Sequence, residues 1–369
     1  MRTLQLVPAL EQGGVERGVV EMNRVLVAQG WENHVVAAGG RLMAQVASDG
    51  GQIHVLDVKS KNPLTCFSRA RKLRRLLREV RPDVVCVHSR VPAWLFVAAN
   101  RTLRIPWISF AHGANSISRY SRIMTAGDLV VTPSRYIADY LHGAYGTPYG
   151  KMRIIPRAID QARFNVTALD AAFCAEKKRD WKLDGSFVVL ALGRITQLKG
   201  FDVLIRAMSL LPADFKLVLV GEAEAKRRDV ETSLRQLAEE LDLAGRVVFA
   251  GNQSKVAECL SLANVVVSSN VKKPEAFGRS MAEALAMGRP VVARAFGGAL
   301  DVVRDGVDGV LVKGDDATDW PRAFARAIRQ VRGMSFGDLR AAALSRFSFD
   351  RLAAQSISVY EELYRGGRT

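Results

Sequence analysis

The chain has 369 residues, of which 49% are apolar and 24% charged, a normal globular composition and more chain than one ordinary core requires. Its 53 lysines and arginines exceed its 37 aspartates and glutamates by 16, and this excess favours an anionic partner such as a phosphate ligand, a nucleic acid or an anionic membrane face. No window approaches the ~20 apolar residues of a membrane-spanning helix, and the four scattered cysteines lack zinc or CxxC spacing and are expected to be buried thiols in a reducing compartment: Cys66, Cys86, Cys174 and Cys259.

The first half of the chain alternates apolar runs with helical patterns. TLQLVP (3–8) predicts a buried strand, and Gly13-Gly14 leads into an amphipathic helix that ends near residue 29. Glu11 interrupts the N-terminal apolar run, so we expect no signal peptide and a cytoplasmic protein, free or peripheral at the inner face of the cell membrane. Further strands are predicted at 33–38, 52–57, 83–87, 106–110 and 128–132, with a helix over 134–146.

A second series begins near residue 186. It predicts strands at 186–193, 215–221, 246–251, 264–269 and 290–295, and helices over 199–211 and 224–242. Between the two series, residues 156–185 show no clear period and a cluster of charges. We interpret this stretch as a connection between domains.

Strand–helix alternation indicates an α/β fold with a doubly wound parallel sheet in each half. The predicted domains are residues 1–165 and 186–345, both Rossmann-like, with 166–185 as the connection. Residues 346–369 predict a C-terminal helix that packs back on the N-terminal domain. Ligands of open α/β sheets bind beyond the carboxyl ends of the strands, so two such domains facing each other would form one cleft.

The loop at 8–18, PALEQGGVERG, carries two adjacent glycines. Gly13 and Gly14 would let the backbone turn beside a ligand, and the helix that follows would direct unpaired N–H groups at it. Helix N-termini suit phosphates. The alternative is an ordinary strand-to-helix turn, because the loop is neither GxGxxG nor a Walker motif.

The loop ALGRITQLKGFD (191–202) places two cations between a strand and a helix. Arg194 can grip two oxygens with its planar fork, and Lys199 supplies a point charge. Together they suit a diphosphate. Two solvated surface cations remain the alternative for this loop taken alone.

The stretch PEAFGRSMAEALAMGRPVV (274–292) contains two acids around one helix start. Glu275 lies in the loop, Gly278 leaves room for a ligand, and Glu283 falls one to two turns inside the helix. A carboxylate accepts two hydrogen bonds from a vicinal diol, which ribose and hexoses both present. The spacing therefore favours a nucleotide diphosphate sugar, with a solvated helix acid as the alternative for Glu283.

These residues resemble a known family. Glu275-x7-Glu283 is similar to the signature of the glycosyltransferase family 4 enzymes, retaining transferases of the GT-B fold that include lipopolysaccharide-core and polysaccharide glycosyltransferases. GRITQLKG resembles the G-R-x-x-x-x-K-G loop of that family, and GGVERG resembles its first glycine loop. Three further segments match: VTPSRYIADYL, RIIPRAIDQARF (153–164) and FGGALDVVRDGVDGVLV (296–312).

The resemblance implies roles for the loop residues. Glu283 would bind the ribose hydroxyls and Glu275 the hydroxyls of the transferred sugar, while Arg194 and Lys199 would neutralise the departing diphosphate. His112, in SFAHGAN, matches a family histidine near the donor sugar; taken alone, a lone histidine is more often structural. The remaining donor contacts would come from Gly13 and Gly14 of the N-terminal, acceptor-side domain and from backbone N–H groups of Phe277 and Gly278.

The resemblance also implies retention of anomeric configuration, with attack on the face that the diphosphate leaves. Because cations and helix starts would stabilise the leaving group, and no DxD-like pair ends a strand, we expect a metal-independent hexosyltransferase with no cofactor. The sequence fits UDP sugars and GDP sugars equally well as donors.

Three departures from the family pattern stand in this chain. Ala223 replaces a second glycine, Asp301 replaces a glutamate, and Arg157-Ala158 replaces an Asn-Gly pair. The first two bear on nucleotide fit and the third on the hinge between domains. None removes the two cations or the two acids.

SRARKLRRLLREVRP (68–82) predicts a helix whose leucine stripe covers the sheet. Its outer face would meet an anionic membrane beside a glycan or glycolipid acceptor, or would be solvated. The residues assigned to that face are Arg69, Arg71, Lys72, Arg74, Arg75 and Arg78.

Rival interpretations remain open. Charge alone fits a nucleic-acid-binding protein, but the sequence shows no helix-turn-helix or RNP motif, so no nucleic acid is expected as a partner. An inverting GT-B transferase or a sugar-nucleotide epimerase fits the fold but not the two acids and the KG loop. A non-catalytic sugar-binding protein would leave two phosphate cations without a purpose.

Overall fold

A computed structural model describes residues 1–11, 13–314 and 319–366, with the backbone alone of Lys226. Gln12 of the predicted first loop, residues 315–318 and residues 367–369 of the predicted C-terminal helix lie outside the described residues. Contacts divide the chain into two units, Met1–Arg157 with Asp350–Thr369, and Ala158–Phe349.

Parallel strands and helices alternate in the first unit. The strands are β1 (Arg2–Leu6), β2 (Glu32–Ala37), β3 (Gln52–Val55), β4 (Val84–Val87), β5 (Trp107–Phe110), β6 (Leu129–Thr132) and β7 (Met152–Ile154). The helices are α1 (Gly14–Ala28), α2 (Met43–Ser48), α3 (Cys66–Val80), α4 (Arg90–Asn100) and α5 (Arg135–Tyr145). The sheet order is β3-β2-β1-β4-β5-β6-β7.

The second unit repeats this plan. Its strands are β8 (Phe187–Leu192), β9 (Phe215–Val220), β10 (Val247–Gly251), β11 (Val265–Ser268), β12 (Val291–Arg294) and β13 (Gly309–Val312). Its helices are α6 (Ala171–Asp180), α7 (Phe201–Met208), α8 (Arg228–Glu240), α9 (Val256–Ser261), α10 (Arg279–Ala286), α11 (Ala299–Val302), α12 (Trp320–Arg332) and α13 (Leu339–Phe347). The sheet order is β10-β9-β8-β11-β12-β13, and the predicted pair of Rossmann-like parallel sheets is confirmed.

Side chains of β8 enter a hydrophobic core on each face of the second sheet. Val189 and Ala191 of β8 enter one core cluster, and Val188 and Leu190 enter the other. Successive side chains of a strand point to opposite faces, so a strand covered by helices on both sides is apolar at nearly every position.

Strand order reverses at one point in each sheet. In the first unit β1 pairs with both β2 and β4, and in the second β8 pairs with both β9 and β11. The loops that leave these strands diverge to opposite sides, which opens a crevice beyond their carboxyl ends. The predicted loops at 8–18, 191–202 and 274–278 follow β1, β8 and β11.

A last helix, α14 (Phe349–Gly366), belongs to the first unit from Asp350 onward. Tyr360 is fully buried, and its hydroxyl lies 2.9 Å from Sγ of Cys86 on β4. Burial raises the pKa of the Cys86 thiol and that of the Tyr360 hydroxyl. None of the helices in the described part of the chain is long and apolar enough to cross a bilayer.

Asp308 is a buried carboxylate in the turn before β13. It accepts hydrogen bonds from the backbone and side chain of Arg304 and from Nη1 of Arg346, at 2.6–3.0 Å. Burial raises the pKa of this carboxyl, but hydrogen bonds from Arg304 and the charges of both arginines outweigh burial and hold it below the ordinary 3.8.

Because the folded pKa of Asp308 is lowered, its stabilisation is present above pH 4 and is lost as the pH falls through the folded pKa. Asp308→Asn is expected to lower the free energy of unfolding by about 1–3 kcal/mol at pH 7, and by less at pH 3. Urea unfolding at both pH values measures this. Asp184→Asn, which removes an exposed partner of Lys178, should change neither value; an equal loss at pH 3 and pH 7 for Asp308→Asn would contradict the assignment.

Candidate active site

An ion pair joins two of the predicted loops in the second unit. Nζ of Lys199, after β8, lies 2.5 Å from Oε1 of Glu275, after β11. Both side chains are largely shielded, with 25% and 18% of their surface exposed. The structure therefore places a cation and an acid side by side where the strand order reverses.

Backbone contact holds the Lys199 loop against the end of β11. Gly200 has a φ of 65°, and a Cβ there would overlap the carbonyl oxygen of Ser269. The Ser269 hydroxyl donates to the carbonyl of Lys199 at 2.8 Å. Gly193, at the end of β8, has a φ of 142°, and a Cβ there would come within 2.9 Å of Cε of Lys199. Two glycines thus set the position of the ammonium group.

The Glu275 loop rests on the turn after β12. The backbone N–H of Gly298 donates to the carbonyl of Glu275 at 2.8 Å. A Cβ at Gly297 would overlap Pro274, and one at Gly298 would come within 2.5 Å of the backbone of Phe277. Because Gly297 and Gly298 have no side chains, this turn can pack directly against the loop that carries Glu275.

Three predicted donor-binding residues lie around the start of α10. Gly278 caps the helix with a φ of 97°, and a Cβ there would stand 3.5 Å from Oε2 of Glu275. The side chain of Phe277 is buried edge-on against Phe347 at 5.4 Å, so only its backbone is available to a ligand. Glu283 is half-buried in the second turn of the helix.

Arg194 lies in the same loop as Lys199 but pairs with a different acid. Its Nη1 is 2.5 Å from Oε1 of Glu224, and 75% of its side chain is exposed. It borders a pocket of about 380 Å³ beyond β8 and β9 that Gly221, Ala223 and Asn252 also line. The two predicted cations therefore pair with different acids. Lys199 pairs with the shielded Glu275, and Arg194 pairs with Glu224 at the rim of the pocket.

The predicted residues of the first unit lie after β1 and β5. Gly13 caps α1 with an ordinary φ of −77°, and its carbonyl accepts from the N–H of Arg17 at 3.1 Å. A Cβ at Gly14 would meet open space. Gly13 therefore has no need of glycine's left-handed freedom, and Gly14 leaves the helix start uncovered.

His112 belongs to a chain of polar side chains that runs from the half-buried Arg157 to the fully buried Gln5. Nη2 of Arg157 lies 2.5 Å from its Nδ1, and its Nε2 lies 3.0 Å from Nδ1 of His88. Nε2 of His88 lies 3.1 Å from Oε1 of Gln5. Burial, and then the charge of Arg157, lower the pKa of His88 to about 3 and the pKa of His112 well below its ordinary 6.5. Both rings are therefore neutral at physiological pH.

The partners of His112 were not predicted from the sequence. His88 directly follows β4, as His112 follows β5 by one residue, so the shared position at a strand end was the available signal. Arg157 was visible only as a departure from the family pattern. Gln5 lies inside an apolar strand, where nothing distinguished it from a tolerated polar residue.

The predicted outer face of α3 needs correction. Arg69 is only 6% exposed, and its guanidinium donates to the carbonyls of Ser60 and Asn62. Arg74 is half-buried and donates to the carbonyls of Ala98 and Ala99 at 2.8–2.9 Å. A guanidinium that satisfies loop or helix-end carbonyls is structural, so the solvent-facing cations are Arg71, Lys72, Arg75 and Arg78.

Within the described ranges, no group of three or more histidines, cysteines or acids is placed to hold a metal ion. Lys199 supplies the positive charge beside Glu275, and Arg194 supplies another at the pocket rim. This arrangement can bind an anion and an array of hydroxyl groups together.

Comparison with known proteins gives matches in both halves of the chain. Residues 12–163 match the model described as Glycosyltransferase Family 4, and residues 175–333 match the one described as Glycosyl transferases group 1. A D-inositol 3-phosphate glycosyltransferase of Xylanimonas cellulosilytica is 32% identical over 247 residues. That match covers 65% of this chain and 58% of the relative, so the chain is matched to little more than half the length of that relative.

Solved structures share the whole fold. A glycosyltransferase from Rickettsia africae aligns with a TM-score of 0.88 at 25% identity, covering 98% of each chain. Anabaena Alr3699/HepE, solved in complex with UDP and glucose, aligns with a TM-score of 0.79 at 20% identity, covering 98% of this chain and 100% of that one. With both halves matched by these models and the parallel sheets shared with such enzymes, the chain belongs to the family 4 glycosyltransferases, of the GT-B fold.

Proposed function

We propose that the protein transfers a sugar, with retention, from a nucleotide diphosphate sugar to a glycan or glycolipid of the cell envelope. The observation that carries this is the Lys199–Glu275 pair beyond β8 and β11. A sugar diphosphate bound there would have an ammonium group at its diphosphate and a carboxylate at its hydroxyls.

The pair explains how bond cleavage would be assisted. As the C1–O bond breaks, positive charge develops on the sugar and negative charge on the diphosphate. Lys199 would stabilise the leaving group most strongly when that charge is complete, so its contribution grows toward the transition state. Arg194 and the start of α10 would add to it, which makes transfer without a metal the expectation.

The other half of the donor would lie toward the pocket rim and α10. Glu283 would accept hydrogen bonds from the ribose hydroxyls, and the pocket of about 380 Å³ beside Arg194 has room for a nucleobase. Since a neighbour of the same fold was solved with UDP and glucose, UDP-glucose heads the list of donors to try.

The experiment is a thermal-shift panel of UDP and GDP sugars, followed by product analysis for the donor that stabilises most. We expect one donor to raise the melting temperature and Glu283→Ala to remove most of that rise. The product should keep the anomeric configuration of the donor and form in the presence of EDTA. No stabilisation by any nucleotide sugar, or an inverted product, would contradict the proposal.

The acceptor side rests on a surface around α3. Leu64 and Phe67, at its start, are 90% and 82% exposed. Phe67, Arg71 and Arg78 fall within one stripe of the helix, because 3.6 residues make a turn. An apolar tip beside exposed cations suits the interface of an anionic bilayer, so we propose that this surface, made of Leu64, Phe67, Arg71, Lys72, Arg75 and Arg78, holds the enzyme at the membrane that carries its acceptor.

Flotation with phosphatidylglycerol vesicles at low salt tests this surface. Replacing Arg71 and Arg75 by serine should weaken binding by about 30-fold, since each cation near such a surface contributes roughly 1 kcal/mol. Phe67→Ser should weaken binding even at high salt, whereas Leu300→Ser, at a 58% exposed leucine of the second unit, should not. Equal binding by all variants would contradict the role of this surface, and no binding by the wild type would favour a soluble acceptor, such as the inositol phosphate in the name of the relative.

A further inference from the structure

The chain of side chains that contains His112 has only one possible direction. A guanidinium donates and never accepts, so Nδ1 of His112, 2.5 Å from Nη2 of Arg157, is an acceptor without a proton. In the neutral ring the proton is then on Nε2, which donates to Nδ1 of His88 at 3.0 Å. His88 in turn carries its proton on Nε2 and donates to Oε1 of Gln5 at 3.1 Å.

Several observations indicate that this direction is held. The two imidazole planes are within 5° of parallel, and Phe110 stacks on His88 with 4.7 Å between ring centroids. Gln5 is fully buried, and its Nε2 has no hydrogen-bond partner. Because His88 donates to Oε1 of Gln5, the amide Nε2 of Gln5 is left without an acceptor, and a buried donor without a partner costs free energy. The chain is therefore set from its Arg157 end.

Arg157 is itself placed by a glycine. A Cβ on Gly18, in the second turn of α1, would overlap Nη1 of Arg157. Alanine is a better helix former than glycine, so a buried glycine inside α1 is explained by the space that the guanidinium occupies. Arg157, Gly18 and His112 all belong to the first unit.

We propose that Arg157 is a positioning residue, which locks His112 and His88 in their Nε2–H forms and so makes His112 a fixed, neutral ring instead of a proton carrier. Both nitrogens of His112 are engaged, so it neither takes nor gives a proton during transfer. The consequence for transfer rests on the proposed function. The hydrogen-bond direction does not.

Long-range ¹H–¹⁵N NMR of the full chain labelled at its five histidines reads the tautomers directly, with peaks assigned from single histidine-to-glutamine variants. In the wild type both His112 and His88 should be pure Nε2–H forms. Arg157→Gln removes the donor, and Gly18→Ala displaces it while keeping a good helix. Each should produce a second tautomer of His112. Arg153→Gln, which instead breaks an ion pair with Glu362, should leave both rings unchanged.

An Nδ1–H form of His112 in the wild type, or unchanged tautomers in both variants, would overturn the proposal. In the same two variants kcat/KM for transfer should fall about 10- to 100-fold through misplacement; shifted tautomers with undiminished transfer would refute the positioning role. If the wild type transfers no sugar from any donor, the proposed function fails, and the NMR result alone decides whether Arg157 sets the chain.

Discussion

Lys199→Ala is expected to lower kcat for sugar transfer about 10²- to 10³-fold, the loss seen when one preorganised donor to a developing anion is removed. The side chain is shielded and 2.5 Å from Glu275, so water replaces it poorly, and Glu275 would face the departing diphosphate without a counter-charge. Steady-state kinetics with the donor found by the thermal-shift panel gives kcat and KM separately.

The matched control is Lys255→Ala. That lysine also pairs with an acid of the second unit, Asp170, but 44% of its side chain is exposed, and it should change kcat less than about two-fold. Arg194→Ala should fall between the two, because its side chain is 75% exposed. If Lys199→Ala and Lys255→Ala behave alike, the leaving-group role of Lys199 is wrong.

Gly200→Ala is expected to damage both stability and transfer. A left-handed residue other than glycine costs about 1–2 kcal/mol, and here the new Cβ would also overlap the backbone carbonyl of Ser269, which cannot rotate away. We expect a total loss of about 3 kcal/mol or more and, because Lys199 is the preceding residue, at least a 100-fold loss of transfer.

Gly185→Ala separates strain from collision. Gly185 has a φ of 69°, close to the 65° of Gly200, but a Cβ there would meet nothing within 4 Å. It should lose only the 1–2 kcal/mol of left-handed strain and keep full transfer. Urea midpoints and initial rates of the two variants, measured together, would reject the close-approach argument if they coincide.

Much of the fold could be predicted because several strands are apolar at all or nearly all positions. β8 and β9, FVVLAL and FKLVLV, are nearly continuous hydrophobic runs of strand length, which is the pattern of a strand buried on both faces. β7 was missed because it is a three-residue edge strand, MRI, with one exposed residue. α6 was missed because none of its residues is buried, so it has no apolar stripe to detect.

The candidate site was predictable in part for the same reason. Residues at strand ends, such as Arg194, Lys199 and Glu275, are found from the order of elements alone. Pairing is not, since Lys199 and Glu275 stand 76 positions apart and meet only because β8 and β11 are neighbours in the sheet. The buried role of Arg69 escaped because helical spacing puts an arginine on a face but does not reveal a loop folded over it.

The two contact units have a consequence for how the protein is made. The first unit is interrupted, since its sheet ends at β7 but its buried Tyr360 lies on α14, after the whole of the second unit. On a ribosome, which releases a chain from its N-terminus, the second unit can complete its core while the first still lacks a side chain that covers Cys86. Nascent chains that stop before α14 would have a complete second unit and a first unit whose core still lacks Tyr360. Such chains would depend on chaperones until α14 emerges.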